Sequence, residues 1–302
     1  MENKLLLGKP LIHLKNSRYL FIVNPVSGTG KQKGVEKYIQ DAAAKYNVEA
    51  LIELTKSRGH ASEIAKKASE QGLDVVGIVG GDGSVNEAGK SLLHTNTAMG
   101  IIPTGSGNGL ARHLKIPLEI KDAVERVFTG KRTAMDVGKL ENHVFLSTAG
   151  FGFDAHVAHL FAKEKKRGFG TYIKTVRREL FHFKPFVFFL KNEQVVEKAF
   201  MLSVANIPQF GNNFTINPNA SEADGLLNCT LIKPFPKYKI PYITSRFFRQ
   251  SINKSTYFRE WAGEEFEIEL PHLFAHVDGE PVFLNRNKFR CHVEKACLDV
   301  IS

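Results

Sequence analysis

An aspartate surrounded by three glycines, followed by a glutamate, marks the stretch IVGGDGSVNE at residues 78–87. Glycine lets backbone N–H groups approach an anion closely, and a helix that begins after such a loop adds partial positive charge. Asp82 would repel a phosphate bound in this loop unless a cation lay between them, so we predict that Asp82 binds Mg²⁺, directly or through water. Asn86 and Glu87 could orient a ribose or a water; equally, Glu87 could complement the helix dipole.

Two further stretches have the composition of phosphate-binding loops: NPVSGTGK at 24–31 and PTGSGNG at 103–109. Neither a Walker A loop nor a Rossmann glycine pattern within a βαβ unit accounts for them. Loops between strands and helices are often rich in such residues, but three of them at one sheet edge favour a phosphate site. The hydroxyl groups that could donate to phosphate oxygens belong to Ser27, Ser84, Thr104 and Ser106.

Two acidic clusters lie further along the chain, ASEADGLL at 220–227 and AHVDGEP at 275–281. Taken alone, an Asp-Gly pair is typical of a tight turn between two strands. Each cluster by itself is therefore better explained as a turn than as a site.

The elements that must position these loops follow two patterns. From about residue 18 to 132, short apolar β-rich runs alternate with helical patterns, which is typical of βα units that form a parallel sheet. From about residue 133, strand-like runs joined by turns predict a mostly antiparallel β-sandwich, interrupted by one helical stretch at about 155–180. We therefore expect an α/β domain at 1–132 and a β-sandwich domain at 133–287. Loops at the carboxyl ends of the parallel strands should gather along one edge of the sheet.

The net charge of +10 favours anionic partners: nucleotides, nucleic acid or an acidic membrane surface. No recognised nucleic-acid-binding motif is present, which argues against the second of these. The densest basic stretch, at 163–178, is either a solvated helix face or a surface that meets phosphates or lipid headgroups. The three cysteines lack the spacing of a metal site or a disulfide framework, and no apolar run approaches ~18 residues. We expect a cytoplasmic protein, peripheral at the membrane.

Six stretches, found in order, resemble the diacylglycerol kinase catalytic-domain family, which includes bacterial lipid kinases, sphingosine kinases and ceramide kinases. The resemblance runs from about Tyr19 to the end of the chain. It implies a nucleotide-binding domain like that of NAD kinases and phosphofructokinases, and a β-sandwich domain for the lipid, with the final strands at about 288–302 returning to the first domain. The stretches are NPVSGTGK, GGDGSVNE, IIPTGSGNGLAR, GFGFDA, FGNNFTINPNASEADGLLNCTLI and DGEP.

The activity that this resemblance implies is transfer of the γ-phosphoryl group of ATP, with Mg²⁺, to a hydroxyl of a membrane lipid such as diacylglycerol or a sphingoid base. Asp82 would serve nucleotide and metal binding, and Glu280 would accept the proton of the lipid hydroxyl. Asp278 would share the metal or hold the Glu280 carboxylate in place. The expected ATP-binding positions are Asn24, Pro25, Ser27, Gly28, Thr55, Gly80, Gly81, Asp82, Gly83, Ser84, Asn86, Glu87, Gly105, Ser106 and Asn108.

Two more sites follow from the resemblance alone. Some bacterial members hold a structural Mg²⁺ at the DGLL turn, which here would use the side chain of Asp224 and backbone oxygens near Ser221 and Leu226. Asp154 lies near the position at which sphingosine kinases place an acid that meets their amino lipid, so it is a candidate lipid-binding residue.

Several alternatives stay open at this point. A kinase of a soluble substrate, of the NAD kinase type, shares the GGDG loop, although GSGNGLA and DGE argue against it. Gly109 makes the third loop more similar to sphingosine and ceramide kinases, so the lipid is not fixed. A binding protein without activity is a third reading, which the retention of Asp82, Glu280 and the glycine loops disfavours. The oligomeric state is open, with a homodimer as one alternative.

Overall fold

The computed structural model describes residues 18–27, 32–164, 169–271 and 273–302. Within them the chain forms two compact units. The first unit contains the described residues up to Met135 together with Ala296–Ser302, and the second contains Asp136–Lys295.

The first unit is an α/β layer built on a parallel sheet, in which the strands follow the order β2-β1-β3-β4. Its strands β3 and β4 are apolar and buried along their whole length, as expected of parallel strands that helices cover on both faces. The elements are β1 (Arg18–Val23), α1 (Val35–Tyr46), β2 (Glu49–Leu54), α2 (His60–Glu70), β3 (Val75–Gly80), α3 (Asp82–Gly89), β4 (Ala98–Pro103), α4 (Gly109–His113) and α5 (Ile120–Thr129).

The second unit is mostly antiparallel. Its elements, of which the first and last strands extend into the first unit, are β5 (Arg132–Leu140), β6 (His143–Phe145), β7 (Thr148–Gly152), α6 (Phe153–Ala162), α7 (Phe169–Glu179), β8 (Phe186–Leu190), β9 (Val195–Ala199), β10 (Met201–Ala205), β11 (Gln209–Gly211), β12 (Phe214–Thr215), β13 (Leu227–Ile232), α8 (Ile240–Phe248), β14 (Phe258–Gly263), β15 (Glu265–Glu269), β16 (Phe274–Val277), β17 (Glu280–Phe283) and β18 (Lys288–Ile301).

Two sheets of this unit pack face to face. One has the order β14-β13-β10-β7-β16-β17, and the other contains β18, β15, β8 and β9. Phe151 of β7 stacks on Phe289 of β18 with ring centroids 4.9 Å apart, inside a core that both sheets supply. This is the interdigitated interior of a β-sandwich. The predicted fold class, a parallel α/β sheet plus an antiparallel sandwich, is confirmed.

The helical stretch expected at about 155–180 consists of two helices. Helix α6 ends at Ala162, because the N–H groups of Lys163 and Glu164 bond to carbonyls only three residues back and the chain leaves the α-helix. Helix α7 then begins at Phe169. Among all helices of the described ranges, none combines the length and apolar character needed to cross a bilayer.

Candidate active site

The three glycine-containing loops of the first unit lie against one another at the carboxyl ends of β1, β3 and β4. Asn24 Nδ2 donates to Ser84 Oγ at 3.0 Å, and the hydroxyl oxygens of Ser27 and Thr104 are 2.7 Å apart. These bonds join the first loop to the second and the first loop to the third. Polar groups from three separate stretches therefore converge on one sheet edge, as parallel topology dictates.

The second and third loops approach so closely that a side chain would not fit between them. A Cβ added at Gly105 would lie 2.6 Å from the Cα of Gly81 and 2.8 Å from Asn108 Oδ1. No real Cβ tolerates such contacts with backbone, so glycine at this position is a packing requirement of the site.

Asp82 is the first residue of α3, and its two carboxylate oxygens bind the beginning of α4. Oδ2 accepts the N–H of Asn108 at 2.8 Å, and Oδ1 accepts the N–H of Gly109 at 2.7 Å. These are charge-assisted hydrogen bonds, which are short and strong. These two N–H donors were not predicted from the sequence. They stabilise the negative charge of Asp82 whether or not a cation is bound. A carboxylate oxygen can accept more than one hydrogen bond or metal contact.

The residues beside Asp82 fit a bound Mg²⁺. Asn108 donates through Nδ2 to the carbonyl of Gly105 at 2.8 Å, while its buried Oδ1 has no partner in the part of the chain that the structure describes. A buried acceptor without a donor suits a cation or a hydroxyl group. Together with the Asp82 carboxylate it offers the oxygen donors that Mg²⁺ prefers.

Glu87, a predicted nucleotide-binding residue, contacts a neighbouring helix. Its Oε1 accepts the N–H of Ala61 at 2.9 Å, in the first turn of α2. The carboxylate therefore complements the dipole of α2, where sequence reasoning considered only the dipole of its own helix. Thr55 follows β2 and donates its N–H to the carbonyl of Val23 at 2.9 Å, which places it beside the end of β1.

The other predicted positions of the first unit vary in exposure. Asn86 is buried in α3, Gly80 closes β3, and Pro25, Gly83 and Ser106 are exposed. Gly28 lies outside the described residues.

In the second unit the DGE stretch forms the hairpin between β16 and β17. Asp278 and Gly279 both have positive φ, 50° and 81°, as a two-residue turn of this kind requires. The Asp278 carboxylate accepts three backbone N–H groups at 2.8–2.9 Å, from the residues at 146–148 that precede and begin β7. Glu280 is the first residue of β17, opposite Val277, and is half-buried. Asp278 thus fixes the turn from which Glu280 projects.

Beneath this hairpin lies a buried acid–imidazole pair. His276 Nε2 is 3.2 Å from Asp154 Oδ2, and both side chains are almost fully buried. Burial raises the pKa of Asp154, while the His276 ring and the N–H of Ala155 oppose that shift. A Cβ added at Gly150 would clash with both members, so glycine makes room for the pair. His276 Nδ1 accepts the N–H of Gly279 at 3.2 Å, which connects the pair to the turn.

His276 is not among the residues predicted from the sequence. The available signal was only its place two residues before Asp278. Asp154, which was predicted to bind lipid, lies at the start of α6, and its carboxylate contacts the His276 ring. Burial and the nearby Asp154 carboxylate raise the pKa of Tyr172 to about 12.

At the DGLL turn the carboxylate of Asp224 is exposed, and its Oδ1 accepts the N–H of Leu226 at 3.0 Å. Ser221 Oγ accepts the N–H of Ala223 at 3.4 Å. A buried carboxylate also reaches this turn, because Asp136 Oδ2 accepts the N–H of Gly225 at 2.7 Å. Asp136 is far away in sequence and was not predicted.

In the basic stretch at 163–178, Arg178 is paired with two carboxylates. Arg178 pairs with Glu164 at 3.7 Å and with Glu179 at 2.7 Å. Residues 165–168, the centre of the stretch, lie outside the described residues.

Comparison with known proteins gives a consistent result along the chain. Residues 18–140 match the sequence model of the diacylglycerol kinase catalytic domain, and residues 147–301 match that of the YegS C-terminal NAD kinase beta sandwich-like domain. The chain is 27% identical over 271 residues to a diacylglycerol kinase of Mycobacterium tuberculosis, which covers 86% of this chain and 87% of that protein. It is 29% identical over 247 residues to a probable lipid kinase, YegS-like, of Chromohalobacter salexigens, with coverage of 77% and 78%.

Solved structures show the same fold. A putative diacylglycerol kinase from Bacillus anthracis superposes with a TM-score of 0.76 at 24% identity, covering 94% of this chain and 97% of that one. An NAD kinase from Archaeoglobus fulgidus, in complex with ATP, superposes with a TM-score of 0.52 at 15% identity, covering 94% and 93%.

Proposed function

We propose, from the premise that this chain belongs to the diacylglycerol kinase catalytic-domain family, that it transfers the γ-phosphoryl group of ATP to a hydroxyl of diacylglycerol at a membrane surface. The observation that carries the proposal is that residues 24–27 contact both glycine loops at 80–84 and 103–109, and that Asp82 lies there beside Asn108. The buried Oδ1 of Asn108 has no partner among the described residues. Such a set of N–H groups, hydroxyls and acceptor oxygens is what a nucleotide with its metal requires.

Phosphoryl transfer depends mainly on positioning and on stabilising charge. In this proposal the loops of the first unit bind the phosphates through backbone N–H groups and through the hydroxyls of Ser27, Ser84 and Thr104. Asp82 and Asn108 would hold Mg²⁺, and the ion would supply positive charge near the transferred group. The bonds from Asp82 to the start of α4 keep its carboxylate in one orientation.

Glu280 orients the lipid hydroxyl and takes its proton. A carboxylate is too weak a base to ionise an alcohol in advance, so the proton moves late, as the new bond to phosphorus forms. Asp278 and the turn hold Glu280 at the start of β17.

Diacylglycerol is the acceptor that we favour over a sphingoid base. The Mycobacterium tuberculosis relative is named a diacylglycerol kinase, and Asp154, the acid that an amino lipid would need, is buried against His276. The second Mg²⁺ at Asp224, Ser221 and Leu226 and a homodimer stay predictions.

The test is phosphorylation from labelled ATP by the purified protein, with micelles of diacylglycerol, sphingosine, ceramide, monoacylglycerol or phosphatidylglycerol, and NAD without detergent. We expect label in diacylglycerol that depends on Mg²⁺. Label in NAD alone would indicate a kinase of a soluble substrate, and label in sphingosine alone would replace the acceptor.

A further inference from the structure

The stretch from Gly225 to Arg259 is the most one-sided in charge, because it contains seven lysines and arginines and no aspartate or glutamate. Two of the seven share one carboxylate, that of Glu197 of β9, which pairs with Lys233 at 3.4 Å and with Arg259. Lys237 and Lys239 have no carboxylate partner among the described residues. Positive charge is thus concentrated at the short helical turn 237–239 and the adjoining helix α8.

Aromatic side chains of unusual exposure share this region. Tyr238 is 77% exposed, Phe181 in the segment after α7 is 48% exposed, and Tyr242 in α8 is 39% exposed. Large aromatic rings left in water forgo the burial that normally stabilises them, so several together indicate a surface that meets a partner. Phe248, at the end of α8, is a further exposed aromatic residue, with 46% of its surface accessible.

The charges and rings contact each other directly. Lys239 Nζ lies 5.7 Å from the ring of Tyr238 and 5.5 Å from that of Tyr242, and the Arg246 guanidinium lies 4.7 Å from the Tyr242 ring. Lys237 Nζ lies 5.7 Å from the Phe181 ring, which joins the segment after α7 to the group. We call Phe181, Lys237, Tyr238, Lys239, Tyr242 and Arg246 the α8 surface.

The opposite side of α8 anchors this surface to the sandwich. Ile243 and Phe247 are buried in the core that covers the outer side of β10 and β13. Phe247 stacks on Phe214 with ring centroids 4.5 Å apart. The helix therefore has one face fixed in the core and another that presents cations and aromatic rings outward.

We propose that the α8 surface binds the interface of a bilayer that contains anionic lipids. Lysines interleaved with tyrosine and phenylalanine match both parts of that interface, since the ammonium groups meet lipid phosphates while the rings enter the boundary between headgroups and acyl chains. The basic stretch at 163–178 is not part of this proposal, because its centre at 165–168 lies outside the described residues and Glu164 and Glu179 both pair with Arg178. The inference rests on the proposed function only in this respect: a kinase of diacylglycerol must reach a bilayer.

The experiment measures sedimentation with vesicles of phosphatidylcholine, with and without phosphatidylglycerol. The variant is Lys237→Glu/Lys239→Glu/Tyr238→Ala, which changes three residues of a helical turn that contains no buried residue. The matched control is Lys66→Glu/Lys67→Glu/Tyr38→Ala, which changes the same residue types at exposed positions of α2 and α1 in the first unit. Removing two lysines from an anionic surface should weaken partitioning at least ~25-fold, since each contributes about fivefold. The control should bind like the wild type.

Activity on a short-chain diacylglycerol dissolved as monomers separates this inference from the proposed function. We expect the α8 variant to retain that activity and to lose activity only on vesicles. A wild type that binds anionic vesicles but phosphorylates no lipid would overturn the proposed function and leave the surface intact. An α8 variant that partitions onto vesicles like the wild type would overturn the proposal that the α8 surface binds the bilayer. Binding of a single-stranded oligonucleotide in place of vesicles would also overturn it, because aromatic and basic side chains can serve nucleic acid as well.

Discussion

Replacing Asp278 tests whether the acid before Glu280 holds the hairpin or shares a metal. Its carboxylate accepts three backbone N–H groups, Ser147 and Thr148 on Oδ1 and Leu146 on Oδ2, at 2.8–2.9 Å. Asn at this position keeps one oxygen and tolerates the left-handed φ of 50°. Placed with its oxygen at Oδ1, it retains two of the three bonds and loses the charge. Ala loses all three bonds and fits the backbone poorly.

These contacts give a ranked series of stabilities. A hydrogen bond to a charged group contributes about 1.5–3 kcal/mol, and we take about half of that because Asp278 is partly exposed. Asp278→Asn should therefore lower the free energy of unfolding by about 1–2 kcal/mol. Asp278→Ala should lower it by about 3–5.5 kcal/mol, because it loses three bonds of about 0.75–1.5 kcal/mol each and adds about 1 kcal/mol for a left-handed backbone that glycine would adopt freely. Asp278→Gly should fall between the two.

Urea unfolding followed by the fluorescence of Trp261, the single tryptophan, measures this series, because that residue packs on the sandwich core of the same unit. Activity should fall with stability and should not recover when Mg²⁺ is raised. Stabilities within ~0.5 kcal/mol of the wild type for both Asn and Ala would refute the structural role, since a change that small is ordinary for surface substitutions. Recovery of activity at high Mg²⁺ would instead identify Asp278 as a metal ligand.

Three further predictions concern other residues. Asp82→Asn and Glu280→Gln should each lower kcat at least ~100-fold in the lipid kinase assay. Circular dichroism should show that both variants remain folded. Near-normal turnover by Glu280→Gln would contradict the role of Glu280 as the base. Gly150→Ala should destabilise the second unit by about 3–5 kcal/mol in urea, because the new methyl separates a buried carboxylate–imidazole pair, and an unchanged midpoint would contradict that packing. The raised pKa of Tyr172 favours its neutral form in the folded protein, so this residue contributes stability below pH 10 that should be lost as the pH rises to about 12. The free energy of unfolding of Tyr172→Phe should fall less over that pH range. The same pH dependence in the variant and the wild type would contradict this prediction.

The sequence alone determined the two architectures and the family. A strand buried on both faces gives a continuous apolar run, whereas a helix buried on one face repeats its apolar residues every three to four positions. Alternation of these two patterns predicts a parallel sheet covered by helices. The glycine loops could be assigned to one sheet edge for the same topological reason. The helix at 155–180 was predicted as one element, since periodicity does not show where carbonyl pairing shifts at Lys163 and Glu164.

Only the tertiary structure decided which distant groups meet. Asp82 binds the N–H groups that begin α4, Glu87 binds α2, and Asp278 binds the segment before β7, and none of these partners can be read from local spacing. The α8 surface was hidden for another reason. Aromatic residues between basic ones are compatible with either a core or an exposed face, and only packing shows that Phe247 is buried while Tyr238 stays in water. Hydrogen-bond partners and exposure depend on the closed fold, because each requires that chain segments remote in sequence be brought within a few ångströms.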